Sequence, residues 1–461
     1  MNQKQALLLA PFAGHFGHLA DRRAQRFCRW LAEAGFGITL AGAVAEHHVP
    51  CVSPRKYLQV SDPLRSWDAA HRIETRAVAS RHKASPRYVA ARHLLVPDAA
   101  APWSVACAMN TRVRAAAAQS SIILSTSPPE SPHLAGMLLS RRARVPHVVD
   151  LRDGWIDEPL KEQIIGSRVR RWLETSMERA VLAHAALVFV TSNEWKELLL
   201  ARMPHMQSKV HVLTNAYPSQ QDPIVPPPAN GVELPRLVYA GRFTGSRVSG
   251  DPSQLISLLK REASSSRTPF EIRFIGELNK DEVKQLDQLG AAIQQYGWKV
   301  VKIGVISASQ AQHECMMAHG LLLLSTCRGS LPSKLFDYIA TGHPMLAMSP
   351  VASATWNTCQ KLPQAWRVDL HGHHHGEKYG SFCGFVQSCP QAALPAEFHD
   401  QAVGKRFQEF VASLLTAPVQ AIPSTLSRLH QPGSAPFPGE SAAPTTSPPP
   451  RRALQSRSAA G

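Results

Sequence analysis

No stretch of this 461-residue chain comes near the ~18–20 consecutive apolar residues that a membrane-spanning helix needs, so a helical membrane anchor is not expected. The apolar run Ala6–Phe12 is too short for the hydrophobic segment of a secretory signal, and no small-residue cleavage site follows it. It reads instead as the first buried strand of a cytoplasmic protein. The eight cysteines (Cys28, Cys51, Cys107, Cys315, Cys327, Cys359, Cys383 and Cys389) form no Cys-x-x-Cys pair and no dense framework. That spacing excludes a disulfide-stapled scaffold and predicts reduced, mostly buried thiols. Acidic residues are few: 34 Asp and Glu stand against 50 Lys and Arg, a net charge of +16. Residues 1–220 carry about +11 of it, with Arg22, Arg23, Arg26, Arg29, Arg55, Lys56, Arg81, Lys83 and Arg87 prominent. These cations are not interleaved with stacking aromatics and no nucleic-acid motif is present, so no nucleic-acid partner is expected. Two readings remain for the charge, plain solubility or attraction to an anionic membrane face. The functional expectation is the second, a peripheral association with the inner membrane.

What is present is a globular composition, 44% hydrophobic and 18% charged, on a chain too long for one core. Leu7–Pro11 reads as a strand, Gly14–Gly17 as a glycine-rich turn, and residues 18–34 as a helix with Leu19, Phe27, Trp30 and Leu31 on one stripe. The same rhythm recurs with strands near 122–124, 145–150, 186–190 and 210–213. It restarts after the proline-rich Pro226–Pro228 with strands near 237–240, 271–275, 300–303, 320–325 and 345–347. The expected fold class is therefore α/β, two Rossmann-like, doubly wound domains facing across a cleft. Expected boundaries are 1–218 for the first domain, a linker at 219–235, 236–395 for the second domain, a closing helix at 396–417, and a disordered Pro/Ser/Ala-rich tail at 418–461.

The stretch richest in chemistry is Gly329–Met348. Amides at Gly329 and Ser330, ahead of a helix, favour an anion, and Lys334 adds a cation. Asp337 lies three residues on, on the same helical face, and Thr341–Pro344 ends the helix before a buried strand. An anion site beside a carboxylate that can grip hydroxyls suits a nucleotide sugar. Taken alone, the same residues also make an ordinary strand–helix–strand connector. Loops that follow strands in two such domains point into a shared cleft. Here these are 14–18, 125–129, 150–155 and 191–193 from the first half, and 241–247, 276–277 and 329–334 from the second. Arg242, Arg247 and Lys334 then offer cations to a diphosphate, and Gly14 and Gly17 let backbone approach it closely. The cluster His371–His375, near Cys383 and Cys389, matches no zinc spacing and reads as a solvated loop.

Several segments resemble glycosyltransferase family 4, the GT-B transferases that build bacterial polysaccharides. Ser125–Gly136 followed by Val148–Trp155 resembles the family's SSPP…DFRDPW pair. Thr191–Ser192 with Val212–Tyr217 resembles its TS…VIPNGYD segment, Leu237–Arg242 its YxGR opening of the donor domain, and Leu331–Ala347 its PxKLxEYxAxGxPVLA stretch. The likeness runs over about residues 5–417. It implies transfer of a sugar from a nucleotide-diphosphate sugar, with retention at the anomeric carbon, to a saccharide or lipid-linked saccharide acceptor in cell-surface polysaccharide synthesis. It also implies that the second domain holds the donor and the first the acceptor, and that neither a cofactor nor a metal is required. Carried onto this sequence, the resemblance puts Gly14, Gly17, Arg242, Arg247, Ser330 and Lys334 at the diphosphate, and Gly276 and Asp337 at the nucleotide ribose. Ser127 and Arg152 fall on the acceptor side, and His18 and Asp153 near the reacting carbon. Asp153 serves equally well as a structural partner of Arg152 or of a loop amide. Asp337 replaces the final Glu of the family's E-x7-E pattern with a shorter side chain, and the first Glu falls at Gly329, which cannot do its work. Two other readings stay open: a nucleotide-sugar 2-epimerase, against which the sparse acidic residues of the cleft loops argue, and a non-catalytic nucleotide- or saccharide-binding scaffold.

Overall fold

Strand β1 (Gln5–Leu9) is buried along its last four residues on both faces, as a central parallel strand must be. The computed structural model describes residues 3–11, 13, 19–43, 55–63, 94–159, 161, 167–217, 234–243, 252–370, 374–375, 381–389 and 394–416. Around β1 the chain lays down β2 (Gly37–Gly42), β3 (Arg55–Gln59), β4 (Ile122–Ser127), β5 (His147–Leu151), β6 (Leu187–Val190) and β7 (Val210–Val212). They form one parallel sheet in the order β3-β2-β1-β4-β5-β6-β7. A second sheet repeats that winding with β8 (Arg236–Ala240), β9 (Glu271–Ile275), β10 (Lys299–Gly304), β11 (Gly320–Leu324), β12 (Met345–Ser349), β13 (Ala365–Asp369) and β14 (His374–His375). Its order is β10-β9-β8-β11-β12-β13-β14, and only β14 runs antiparallel. In each sheet the order reverses beside the first strand, between β1 and β4 and between β8 and β11. Crossover chains leave to opposite faces there and open a crevice at the strands' carboxyl ends.

Helices α1 (Leu19–Glu33), α2 (Ala101–Met109), α3 (Thr111–Gln119), α4 (Ser131–Ala143), α5 (Arg168–His184) and α6 (Asn193–Arg202) accompany the first sheet. Helices α7 (Ser253–Ser265), α8 (Lys280–Ile293), α9 (Ala308–Met316), α10 (Ser333–Thr341), α11 (Ala354–Cys359) and α12 (Phe382–Ser388) accompany the second. The α/β architecture and its two doubly wound sheets agree with the expectation. Strand β3 and helices α2 and α3 have no counterpart in the expected pattern, nor have strand β13 and helices α8, α9, α11 and α12 of the second half. The charged start of β3 at Arg55-Lys56 breaks the apolar run, and the alanines of α3 carry little amphipathic signal. The last helix, α13 (Asp400–Thr416), returns to the first sheet, where Val403, Phe407 and Val411 join Phe27 and Trp30 of α1 in one core. A Cβ on Gly404 would lie 2.5 Å from the Trp30 indole, so the two helices can meet this closely only at a glycine. Asp400, at the start of α13, accepts from Trp30 Nε1 at 3.3 Å and pairs with Arg26 and Arg29.

Beneath the loop after β4, Ser125 Oγ sits 2.7 Å from His133 Nδ1 and 2.8 Å from His147 Nε2. Burial pushes His133 down to about 3 and His147 well below its ordinary value, so both rings are neutral at physiological pH. Seven cysteines fall among the described residues, none in a disulfide with another of them and five of them buried, as the sequence leads one to expect. His374–His375 make the short edge strand β14 rather than a loop. The expected tail at 418–461, the linker apart from its last two positions, and His371 and His373 lie outside the described residues.

Candidate active site

One guanidinium gathers the carboxyl ends of the first sheet. Arg23 on α1 is almost wholly buried and donates through Nε (3.1 Å) and Nη2 (2.7 Å) to the two oxygens of Asp150, the β5 residue before Leu151. Nη2 also donates to Leu213 O (2.9 Å), and Nη1 donates to Thr214 O (3.0 Å) and Asn215 Oδ1 (3.3 Å). Thr126 Oγ1, near the end of β4, donates to Asp150 as well (2.7 Å). The loops after β4, β5 and β7 are thereby fixed against α1, which the sequence could not show because the partners lie 127–192 residues apart. Ser127 is buried and its hydroxyl donates to Asp150 O at 3.3 Å, while Thr191 Oγ1 donates to Arg152 O at 2.7 Å.

The second sheet builds a matching corner from glycine turns. Gly241 and Gly276 follow β8 and β9 at φ of +117° and +133°, backbone that a side chain would strain. A Cβ on Gly276 would come within 2.6 Å of Gly241 O, so the two turns touch only because both are bare. Lys334, in the first turn of α10, lies over the Tyr239 ring with Nζ 3.9 Å from its centroid, alongside Gly241. Arg242 pairs with Glu277 at 2.6 Å, and Tyr239 Oη donates to Arg242 O at 3.0 Å. Helix α10 begins after Pro332 with no side-chain cap, so the positive end of its dipole faces this corner. The amides of Gly329 and Ser330 are directed elsewhere. They favour the Cys327 thiolate, although burial outweighs them and pushes that thiol up.

Residues from the two sheets meet across the cleft. Arg22 Nη1 donates to both oxygens of Asp337, at 3.0 and 3.1 Å. Ser192 Oγ donates to Gly329 O at 2.7 Å, and Asn357 Nδ2 to Glu194 Oε1 at 2.7 Å. Trp195 of α6 is clamped between Gly154 and Gly329: a Cβ on either would fall within 2.5 Å of the indole. This contact explains the departure at Gly329 physically. A glutamate there would have to displace a buried tryptophan. Lys334 and Asp337, although three residues apart on α10, have different neighbours, one over Tyr239 and the other against Arg22.

Of the residues singled out from sequence, Arg242, Gly276 and Lys334 come together in the second-sheet corner, and Asp337 lies across from Arg22. Arg152 and Asp153 follow β5 on the facing wall. Gly14, Gly17, His18 and Arg247 lie outside the described residues. Arg22, Arg23, Arg26 and Arg29 count as basic surface in the sequence, yet all four are engaged with Asp337, Asp150 or Asp400. Trp195 and Glu277 carry no sequence signal for their roles, since each is defined by a neighbour on another loop.

Residues 20–216 match the family model for a glycosyl transferase 4-like domain. No curated protein matches the chain by sequence. Similar solved structures include a glycosyltransferase from Rickettsia africae ESF-5, with TM-score 0.54 and 11% identity over 91% of this chain and 100% of that one. HepE of Anabaena in complex with UDP has TM-score 0.53 and 13% identity over 89% and 100%. The α,α-trehalose 6-phosphate synthase of Burkholderia multivorans has TM-score 0.53 and 11% identity over 90% and 96%. At these identities the structural likeness speaks for the fold.

Proposed function

We propose that this chain, whose residues 20–216 match the family model for a glycosyl transferase 4-like domain and whose fold is shared with solved glycosyltransferases, moves a sugar from a nucleoside-diphosphate sugar to a saccharide or lipid-linked saccharide, with retention at the anomeric carbon. One observation carries this reading. Lys334, Arg242, the bare turns at Gly241 and Gly276, and the uncapped start of α10 share one corner at the carboxyl end of the second sheet. The UDP complex of HepE supports a nucleoside diphosphate as its occupant. In this reading the bond from the anomeric carbon to the phosphate oxygen breaks, and the acceptor oxygen bonds to that carbon on the same face. The acceptor's proton passes to the departing phosphate. Lys334, Arg242, Arg247 and the α10 amides, with Ser330 beside them, take up the charge that grows on the diphosphate, so no metal is needed for it. Gly14 and Gly17 admit it closely, Gly276 and Asp337 hold the nucleotide and its ribose, and His18 and Asp153 flank the reacting carbon. Ser127 and Arg152 belong to the acceptor wall. The test is a panel of nucleotide sugars assayed for release of nucleoside diphosphate with and without saccharide acceptors. Binding without release from any donor would leave a scaffold, not a transferase.

No helix among the described residues is long and apolar enough to cross a membrane. For a peripheral role at the cytoplasmic membrane face, in polysaccharide synthesis, the supporting surface is the start of α5. Val169 and Trp172 are about two-thirds exposed there, beside exposed Arg168 and Arg171. Vesicles containing anionic lipid should sediment the protein, Trp172→Ala should weaken this several-fold, and salt should do the same. Equal binding to neutral vesicles would remove the proposal.

A further inference from the structure

Between the two sheets, beside the Arg22–Asp337 bridge, lies a cavity of about 10 Å3, room for a single water, lined chiefly by Arg22, Arg23, Arg26, Arg152, Ser333 and Asp337. Three of its four guanidinium groups are committed. Arg23 is held by Asp150 and three further oxygens, Arg26 by Asp400 and Ala216 O, and Arg22 by Asp337. Arg152 is different. Its Nε is buried without a partner, and among the described residues none accepts a hydrogen bond from its guanidinium. Burial lowers its pKa, with Arg23 acting the same way and Asp153 and Asp150 opposing. Arg152 is half-buried, and a guanidinium whose Nε is buried without an acceptor is costly to keep; an oxyanion is the partner its fork geometry fits. The cavity is also distinct from the diphosphate corner. Ser333 and Asp337 line it one turn apart on α10, whereas Lys334 lies over Tyr239 beside Gly241.

We infer that this cavity is the closed form of an oxyanion site on the first sheet's wall, with Arg152 as its central cation, which takes the phosphate or carboxylate of an anionic acceptor. The inference rests on the transferase reading above and names the class of acceptor. Opening the site asks little. The Arg22–Asp337 bridge is 42% and 37% exposed on its two side chains, and exposed pairs contribute only about 0.2–1 kcal/mol. When Asp337 turns to the ribose of a bound nucleotide, Arg22 is released as a second cation for the acceptor's anion. Nucleotide binding therefore favours oxyanion binding, and the reverse holds by linkage.

The experiment titrates inorganic phosphate, and in a parallel arm D-glucuronate, into the full chain with and without saturating UDP. At least one oxyanion should bind more tightly when UDP is present. Arg152→Gln should lose about tenfold or more of that affinity while UDP binding is unchanged, and Arg242→Ala should show the opposite pattern. The two arms separate a phosphorylated acceptor from an acidic sugar. Displacement of both oxyanions by UDP would assign the cavity to the donor's own diphosphate and overturn the inference. So would equal affinity in Arg152→Gln, or no oxyanion binding at millimolar concentration. Should Arg152→Gln fail to fold, Arg152→Lys, which keeps the charge but loses the fork, and the wild-type competition with UDP decide the matter. Failure of the transferase reading looks different: UDP does not bind, while Arg152-dependent oxyanion binding persists.

Discussion

Lys334→Ala should lower turnover of a nucleoside-diphosphate sugar by roughly 10²–10³-fold, about 2.7–4 kcal/mol of transition-state stabilisation, with the loss mainly in kcat. Charge on the diphosphate grows as the sugar leaves, so a cation poised at that corner acts more strongly on the transition state than on the bound donor. In the protein as it stands Lys334 rests on the Tyr239 ring, a contact worth about 0.5–1 kcal/mol at a partly exposed site. The variant should therefore fold and melt nearly as the wild type does. Arg242→Ala should cost less, because Glu277 already neutralises part of that charge. The measurement is steady-state kinetics on the best donor of the panel, with melting temperature as the control. If Lys334→Ala turns over within a few-fold of wild type while still binding UDP, the corner is not where the leaving group is stabilised.

Arg23→Met should destabilise the fold by about 3–5 kcal/mol, read from urea unfolding. The substitution leaves Asp150 buried with Thr126 as its remaining side-chain partner, and it strips Leu213 O and Thr214 O of a donor. The cost of removing one member of a buried pair comes mostly from the charge left behind. The double variant Arg23→Met/Asp150→Asn should therefore recover part of the loss, a coupling that a simple packing defect would not produce. Because the same guanidinium joins the loops after β4, β5 and β7, acceptor-side kinetics should deteriorate along with stability. A single variant within about 1 kcal/mol of wild type, or a double variant no better than the single, would show that Arg23 does not hold these loops together.

Much of the fold is legible in the chain. The alternation of apolar runs with helical stripes gives the two doubly wound sheets, and the turn glycines mark where strands end. Gly241 and Gly276 stand out because left-handed backbone and close approach leave few other residues possible. Arg242 can be placed from sequence because it follows a strand closely, and Lys334 because it lies in the first turn of the helix after the β11 loop. Two of the missed elements have a plain cause: β3 opens with two charges, and α3 is too rich in alanine to show a face. Arg22 and Arg23 are adjacent in sequence and alike in chemistry, yet one reaches across the cleft to Asp337 and the other inward to Asp150. No local pattern separates them, because a helix turns successive side chains by about 100° and only the neighbours decide what each one meets.

By itself the sequence determines that this is an α/β chain of two similar halves, with cations and glycines at strand ends suited to a diphosphate. Those properties depend on periodicity and on residue chemistry, both local. Tertiary structure alone decides that four arginines of one helix pair with Asp337, Asp150 or Asp400, with Arg23 and Arg26 drawn inward while Arg22 and Arg29 stay partly exposed. It alone explains why Gly329 stands where a glutamate is expected, since Trp195 from the other sheet fills that space. It alone leaves the Nε of the half-buried Arg152 without an acceptor among the described residues. Each of these is a meeting of segments more than a hundred residues apart, or a matter of what water can reach. Neither is written in any one stretch of chain.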